Sequence, residues 1–213
     1  AAGRIALESN RTVRSTNVPL SPMIIDGNLM GYSLSQGGSL RVRASEIDIV
    51  AAAAPLVTTA ASPASLQLST GFFTQGGFGR YDVDGAARLT LADGVTLAPR
   101  QDNWVAGAEA RNTRTGARPG DVLSVARLDD ALRRPTQLGL ASSGQVTDDA
   151  RGPSGALTIA RGAVIDTDTG AVVNLTANAR LNFDGRLQAH GGQVSLGLSG
   201  IGAAPAAIAL FLY

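Results

Sequence analysis

The sequence predicts an all-β chain, a parallel β-helix in which short strands stack coil upon coil, with loops projecting from the stack. Three observations carry this. Apolar residues alternate with polar ones over only three to six positions at a time, as in ALTI, VVNL and RLNF, which is the period of a short strand with one face in and one face out. Near the C-terminus the strand starts Leu181, Leu187 and Val194 lie six to seven residues apart, leaving no room for a helix between them. The same phrases return at 21 residues from Val173 to Val194 and 24 from Leu157 to Leu181, a period that fits one coil of about three strands.

In chain order, GRIALES, GGSLRVRASEIDIV and SLQLSTGFF supply the alternations Leu40/Val42, Ile47/Ile49 and Leu66/Leu68. Residues 51–65, AAAAPLVTTAASPAS, hold Ala, Ser, Thr and Pro without a period and read as a loop leaving the stack. GFFTQGGFGRYDVDG, 71–85, reads as a strand, a bend at Gly76-Gly77 and a second strand, with Phe72 or Phe73 and Phe78 turned to the core. ARLTLADGVTL (87–97), GALTIARGAVI (155–165) and AVVNLTANARL (171–181) align as one pattern. That alignment matches Leu89, Leu157 and Val173; Leu91, Ile159 and Leu175; and Leu97, Ile165 and Leu181. Gly and Asn between the apolar pairs suit tight corners. Residues 99–137 form a second, charged excursion, in which LSVARLDDALRR is expected to make a turn or two of helix before Pro135 ends it. No domain boundary interrupts the chain, so residues 1–213 are expected to be one stack with loops at 51–65 and 99–137.

Composition agrees with stacked strands. Aromatic residues are 4% of the chain, Gly numbers 26, and Ala, Leu and Val carry the hydrophobicity. The net charge of +1 provides no field for nucleic acid, so no nucleic-acid partner is expected. All 18 cations are Arg, and Cys is absent, which removes disulfides, thiolate catalysis and Cys-ligated zinc. The opening AAGRIALESN has neither a signal peptide nor an initiator Met, so the chain is expected to be a fragment or a processed form. The closing IGAAPAAIALFLY contains Pro205 and is shorter than the ~20 residues of a membrane span; a packed tail is expected there.

Each cluster of reactive residues favours structure over chemistry. In GGFGRYD the carboxylate of Asp82 comes one residue later than a calcium-binding glycine-rich repeat requires, which turns it to the opposite face, and the motif has no tandem copy. Asp129-Asp130, Asp148-Asp149 and Asp166 with Asp168 are the paired acids. Pectin hydrolases of β-helical build carry N-T-D, a double Asp, G-H-G and R-x-K in that order; neither N-T-D nor R-x-K occurs here. His190, the only His, lacks partners for a metal site and reads as an exposed corner residue. No nucleophile elbow or phosphate loop appears. The chain is therefore read as non-enzymatic, with no cofactor and no metal. The remaining candidates for ligand binding are Trp104, Arg111, Arg114, Arg118, Arg133 and Arg134 in the charged excursion. Arg forks match sulfated or acidic glycans bidentately; the alternative is a solvated loop whose charges keep a β-stack soluble.

GFFTQGGFGRYDVDG with the following LTLADGVTLAP, and the closing GRLQAHGGQVSL, resemble the coil phrases of the filamentous haemagglutinin family, the large exoproteins of two-partner secretion in Gram-negative bacteria. The similarity covers most of 66–100 and 151–198. It implies a right-handed β-helix, export through an outer-membrane transporter, and a place in a secreted, cell-surface protein, as an adhesin shaft or as the stalk of a contact-dependent toxin. The expected role is structural reach and adhesion, with a host-cell or extracellular glycan or protein as receptor and neighbouring coils of a longer chain as packing partners. The family's secretion domain, with its Asn-Pro-Asn signals, has no counterpart in this sequence, nor does a toxin tip. A glycan-binding β-helix module is the alternative, and a polysaccharide-active enzyme a more distant one.

Overall fold

The structure is a computed structural model that describes residues 3–9, 23, 25, 27–52, 65–144 and 155–199. Its strands, in order, are β1 (Arg4–Glu8), β2 (Ser39–Val50), β3 (Leu66–Ser69), β4 (Arg80–Leu91), β5 (Thr96–Leu97), β6 (Asn103–Ala106), β7 (Leu123–Ala126), β8 (Gln137–Ser142), β9 (Ala156–Ile159), β10 (Val164–Asp166), β11 (Val172–Ala177), β12 (Arg180–Phe183), β13 (Arg186–Gln188) and β14 (Gln193–Leu198). Among the described residues helix is confined to 3-10 turns at Thr70–Phe73 and Ala108–Asn112 and one α-turn, Pro119–Val122. The predicted all-β class holds, and the pairing is parallel everywhere except between β6 and β7.

Three ladders organise the chain. The first runs β1-β2-β4-β8-β11-β14. In it Leu40, Tyr81, Leu138 and Val173 form one inward row, which Val194 extends in register at the sheet edge with 43% exposure, and Val42, Val83, Leu140, Leu175 and Leu196 form another. The second stacks β3, the C-terminal half of β2, the C-terminal half of β4, β9 and β12, putting Leu66, Ile47, Leu89, Leu157 and Leu181 in register. The third is β5-β10-β13, with Leu97, Ile165 and Leu187 aligned. Inward residues of all three ladders meet in one buried cluster. Each large aliphatic side chain so enclosed contributes on the order of 1.5–3 kcal/mol, and no strand here could bury its apolar face alone.

Two sequence-derived registers agree with these pairs: Val173 with Val194, and Leu157 with Leu181. The three-way alignment holds only for its first two members, where Leu89 and Leu91 stack on Leu157 and Ile159, and Leu97 stacks on Ile165. AVVNLTANARL is displaced by one strand, since Val173 and Leu175 stack on Leu138 and Leu140, and Leu187 rather than Leu181 follows Ile165. Strand length also departs from expectation. β2 and β4 run unbroken for 12 residues each, joining segments that the later chain divides into β8 and β9 or β11 and β12. An irregularity between Ala44 and Glu46 marks where the later chain turns its corner.

Corners are closed by residues suited to them. Gly94 and Gly162 adopt positive φ at equivalent bends, 66° and 73°, and the Gly94 N–H donates to the Arg161 carbonyl, which precedes the second bend. At the corner between β11 and β12, the Asn178 side-chain amide donates to the Gly144 carbonyl at 2.6 Å.

The stretch 71–85 enters the core as expected. Phe73 and Phe78 are buried, Phe72 is half-buried, and Gly76 and Gly77 bend the chain with φ of 84° and 68°. A side chain on Gly77 would begin only 2.1 Å from the Tyr32 ring. The segment before the bend is a 3-10 turn, not a continuous strand. Tyr81, which follows, is fully enclosed, and its hydroxyl has no hydrogen-bond partner among the described residues. Burial first, and the nearby Asp102 and Tyr32 second, push its ionisation well above the ordinary tyrosine value of 10.0. The folded chain therefore keeps this proton where the unfolded chain releases it. Stability from this source is intact below about pH 10 and is lost as pH rises beyond that. Urea midpoints measured at pH 8 and pH 11 are expected to fall further for the wild type than for Tyr81→Phe; equal falls would refute the assignment.

Most of the loop predicted at 51–65 lies outside the described residues. In the second excursion the predicted helix is replaced. LSVA of LSVARLDDALRR is strand β7, antiparallel to β6, with Trp104 opposite Val125, and only a turn follows, where the Leu132 and Arg133 N–H groups donate to the Asp129 carbonyl. β-branched Val125 and the cross-strand pairing with NWVA outweigh the helical spacing of the leucines.

Candidate functional site

Two outward regions gather polar side chains: the charged excursion and the solvent face of the first ladder. Of the predicted ligand residues, Arg111, Arg114, Arg118 and Arg134 are exposed, and Trp104 is exposed at 37%. The Trp104 N–H donates to the Ser33 carbonyl at 2.9 Å, and the Asn103 amide donates to the Ser33 and Ser35 carbonyls, so the β6–β7 hairpin is seated on the segment before β2. These four guanidiniums form no ion pair among the described residues. The structure brings them onto one excursion without converging them on a pocket.

Arg133 behaves differently. Its side chain is only 4% exposed and is engaged by Asp168, itself 5% exposed, and by Asp130. It also donates to the Leu128 carbonyl at 2.8 Å. Asp168 in turn accepts from the Thr136 N–H at 3.3 Å and lies 3.4 Å from Arg100 Nε, while Arg100 Nη2 reaches Asp166 at 2.8 Å. Arg133 therefore fastens the excursion to the turn after β10; its guanidinium does not face solvent. This network was invisible in sequence because its members are far apart in the chain and meet only in the fold.

Of the paired acids, Asp130, Asp166 and Asp168 thus serve as structural partners of Arg133 and Arg100, and other carboxylates are engaged in the same way. Asp82 is held in two-point fashion by Arg80, at 2.9 and 3.2 Å. Asp84 accepts from the Ser143 hydroxyl at 2.8 Å and lies 3.5 Å from Arg43. In the second ladder Arg88 bridges Glu46 at 3.0 Å and Asp48 at 2.7 Å; burial works against its charge, but the two carboxylates more than offset this and raise its ionisation above the ordinary value. Asp148 and Asp149 lie outside the described residues. His190 is exposed on the turn before β14, its carbonyl accepting from the Gly170 N–H. Among the described residues no three His, Asp or Glu side chains are placed to hold a metal ion together.

The solvent face of the first ladder carries a groove of about 210 Å³. Register sets its shape. One outward row reads Arg41, Asp82, Gly139, Asn174 and the next Arg43, Asp84, Ala141, Thr176, so the small residues of β8 form a floor between a charged wall and a polar one. A second cavity, of about 310 Å³, lies beside Met30, Tyr32, Phe72 and Phe78. The sequence offered no sign of the first groove, because it emerges only once four strands are set in register. No protein-family model, curated protein or solved structure matches the chain.

Proposed function

We propose that the chain is a segment of a right-handed parallel β-helix, part of the shaft of a secreted, surface-displayed adhesin of the filamentous haemagglutinin kind. Its work is mechanical reach, with the charged excursion as the contact surface and an outer-membrane transporter as the export partner. The observation that carries this reading is the register: the same inward rows pass through strand after strand, with Leu40, Tyr81, Leu138, Val173 and Val194 aligned across five strands. Stacking of this kind yields a stiff rod in which each coil is stabilised by its neighbours. The exposed Arg residues and Trp104 favour a second reading, a glycan-binding module on the same scaffold. A polysaccharide-cleaving activity is the weakest reading, since the groove carboxylates Asp82 and Asp84 stand on one strand and are engaged by Arg80, Arg43 and Ser143.

The test is display. Placed behind a two-partner secretion domain with its transporter in a Gram-negative host, the chain is expected to reach the cell surface and to confer attachment to epithelial cells. Replacing residues 103–126 by a Gly-Ser linker should leave display intact and abolish attachment. Failure to export, display without attachment, or attachment that survives loss of the hairpin would each overturn the corresponding part of the proposal.

A further inference from the structure

The groove on the solvent face of the first ladder has the makings of a ligand site independent of the excursion and of the adhesin reading. Its charges are unevenly committed. Asp82 is taken by Arg80, Asp84 by Ser143 and Arg43, and Arg43 also approaches Glu8 at 3.8 Å. Arg41, on the groove's rim, makes no side-chain hydrogen bond or ion pair among the described residues. On the opposite wall the exposed Asn174 and Thr176 side chains likewise have no hydrogen-bond partner there. Arg41 and Asn174 occupy one register row, three strands apart, a separation of about 14 Å at the usual strand spacing. Between them Gly139 leaves the floor open; a Cβ there would come within 3.1 Å of Asp82 Oδ1.

We propose that this groove binds the carboxylate of a uronate-type sugar within an acidic glycan. Arg41 takes the carboxylate through its two-pronged fork, Asn174 and Thr176 hydrogen-bond ring hydroxyls, and the Gly139–Ala141 floor receives a C–H face of the ring. A carboxylate suits the site better than a phosphate monoester because only one cation lining the groove is uncommitted, and the neighbouring Asp82 and Asp84 would repel a dianion; a sulfate ester, of the same single charge as a carboxylate, is separated from it by the dextran sulfate control. The volume matches one sugar residue, being below the ~300 Å³ from which drug-sized sites begin. Such a glycan enters from solvent and projects along the sheet face.

Isothermal titration of the full chain against oligogalacturonate, oligoalginate and unsulfated hyaluronan oligomers tests this, with methyl-esterified oligogalacturonate and dextran sulfate as controls. At least one uronate oligomer is expected to bind; if it is oligogalacturonate, its methyl ester should bind roughly tenfold more weakly or worse. Arg41→Gln should lose about tenfold or more, Asn174→Ala should lose several-fold, and Gly139→Val should block the groove, all with unchanged circular dichroism. If Gly139→Val fails to fold, Arg41→Gln and Asn174→Ala still decide the matter. The proposal is overturned if no uronate oligomer binds, if the ester binds as well as the acid, or if Arg41→Gln binds like wild type. It also fails if only dextran sulfate binds and Arg118→Gln with Arg134→Gln removes that binding, for the ligand then belongs to the excursion.

Discussion

Asp168→Ala is expected to destabilise the fold by about 3–5 kcal/mol, the usual cost of removing one partner from a buried ion pair. The variant leaves Arg133, 4% exposed, with only the Leu128 carbonyl and Asp130, whose carboxylate is 66% exposed and well solvated. It also strips Arg100 Nε of one carboxylate and the Thr136 N–H of its acceptor. Desolvation of an unpaired guanidinium dominates that cost. The double variant Arg133→Met/Asp168→Leu should therefore recover most of the loss, since apolar replacements of a buried pair are often neutral. A remainder of about 1 kcal/mol should persist from the Thr136 N–H. Trp104 is the only Trp in the chain and sits on the excursion, so its fluorescence reports undocking of the excursion while far-UV circular dichroism reports the ladders. In Asp168→Ala the fluorescence transition is expected to precede the dichroic one during urea denaturation. Coincident transitions at the wild-type midpoint would show that Arg133 does not fasten the excursion.

The contrast between what was legible in the sequence and what was not follows the range of the forces involved. Leu157 with Leu181, and Val173 with Val194, could be paired from sequence because burial imposes a period-two pattern that any reader of the chain can count. The misplacement of AVVNLTANARL has the same origin. Successive strands carry nearly the same pattern, so sliding by a whole strand costs few mismatches, and only the interstrand hydrogen bonds distinguish Leu138 from Leu157 as the partner of Val173. Arg133 was grouped with its exposed neighbours because adjacent Arg133 and Arg134 look alike in sequence; a single turn sends one inward to Asp168 and leaves the other in solvent. The groove at Gly139 was harder still, requiring β2, β4, β8 and β11 in simultaneous register. Patterns local to one strand are readable; placements set by several strands together are not.

Phe73→Ala should cost about 3–5 kcal/mol, against about 1 kcal/mol for the half-buried Phe72→Ala. Phe73 is fully enclosed, its ring centroid 5.3 Å from Tyr81 and 5.5 Å from Phe72, so truncation removes both apolar burial and the aromatic contacts, themselves about 0.5–1.5 kcal/mol. Its backbone matters to the next element too, for the Phe73 carbonyl accepts the Arg100 N–H where the chain leaves β5. Relaxation around the cavity is limited because Phe78 and Tyr81 are already in contact, with centroids 6.0 Å apart, and Gly76 and Gly77 are fixed by their close neighbours. Phe73→Leu should recover about half of the loss, since it restores burial without the ring. Denaturant midpoints of the three variants decide the point. Equal costs for Phe72→Ala and Phe73→Ala would mean that the 3-10 turn at Thr70–Phe73 does not hold one ring inward.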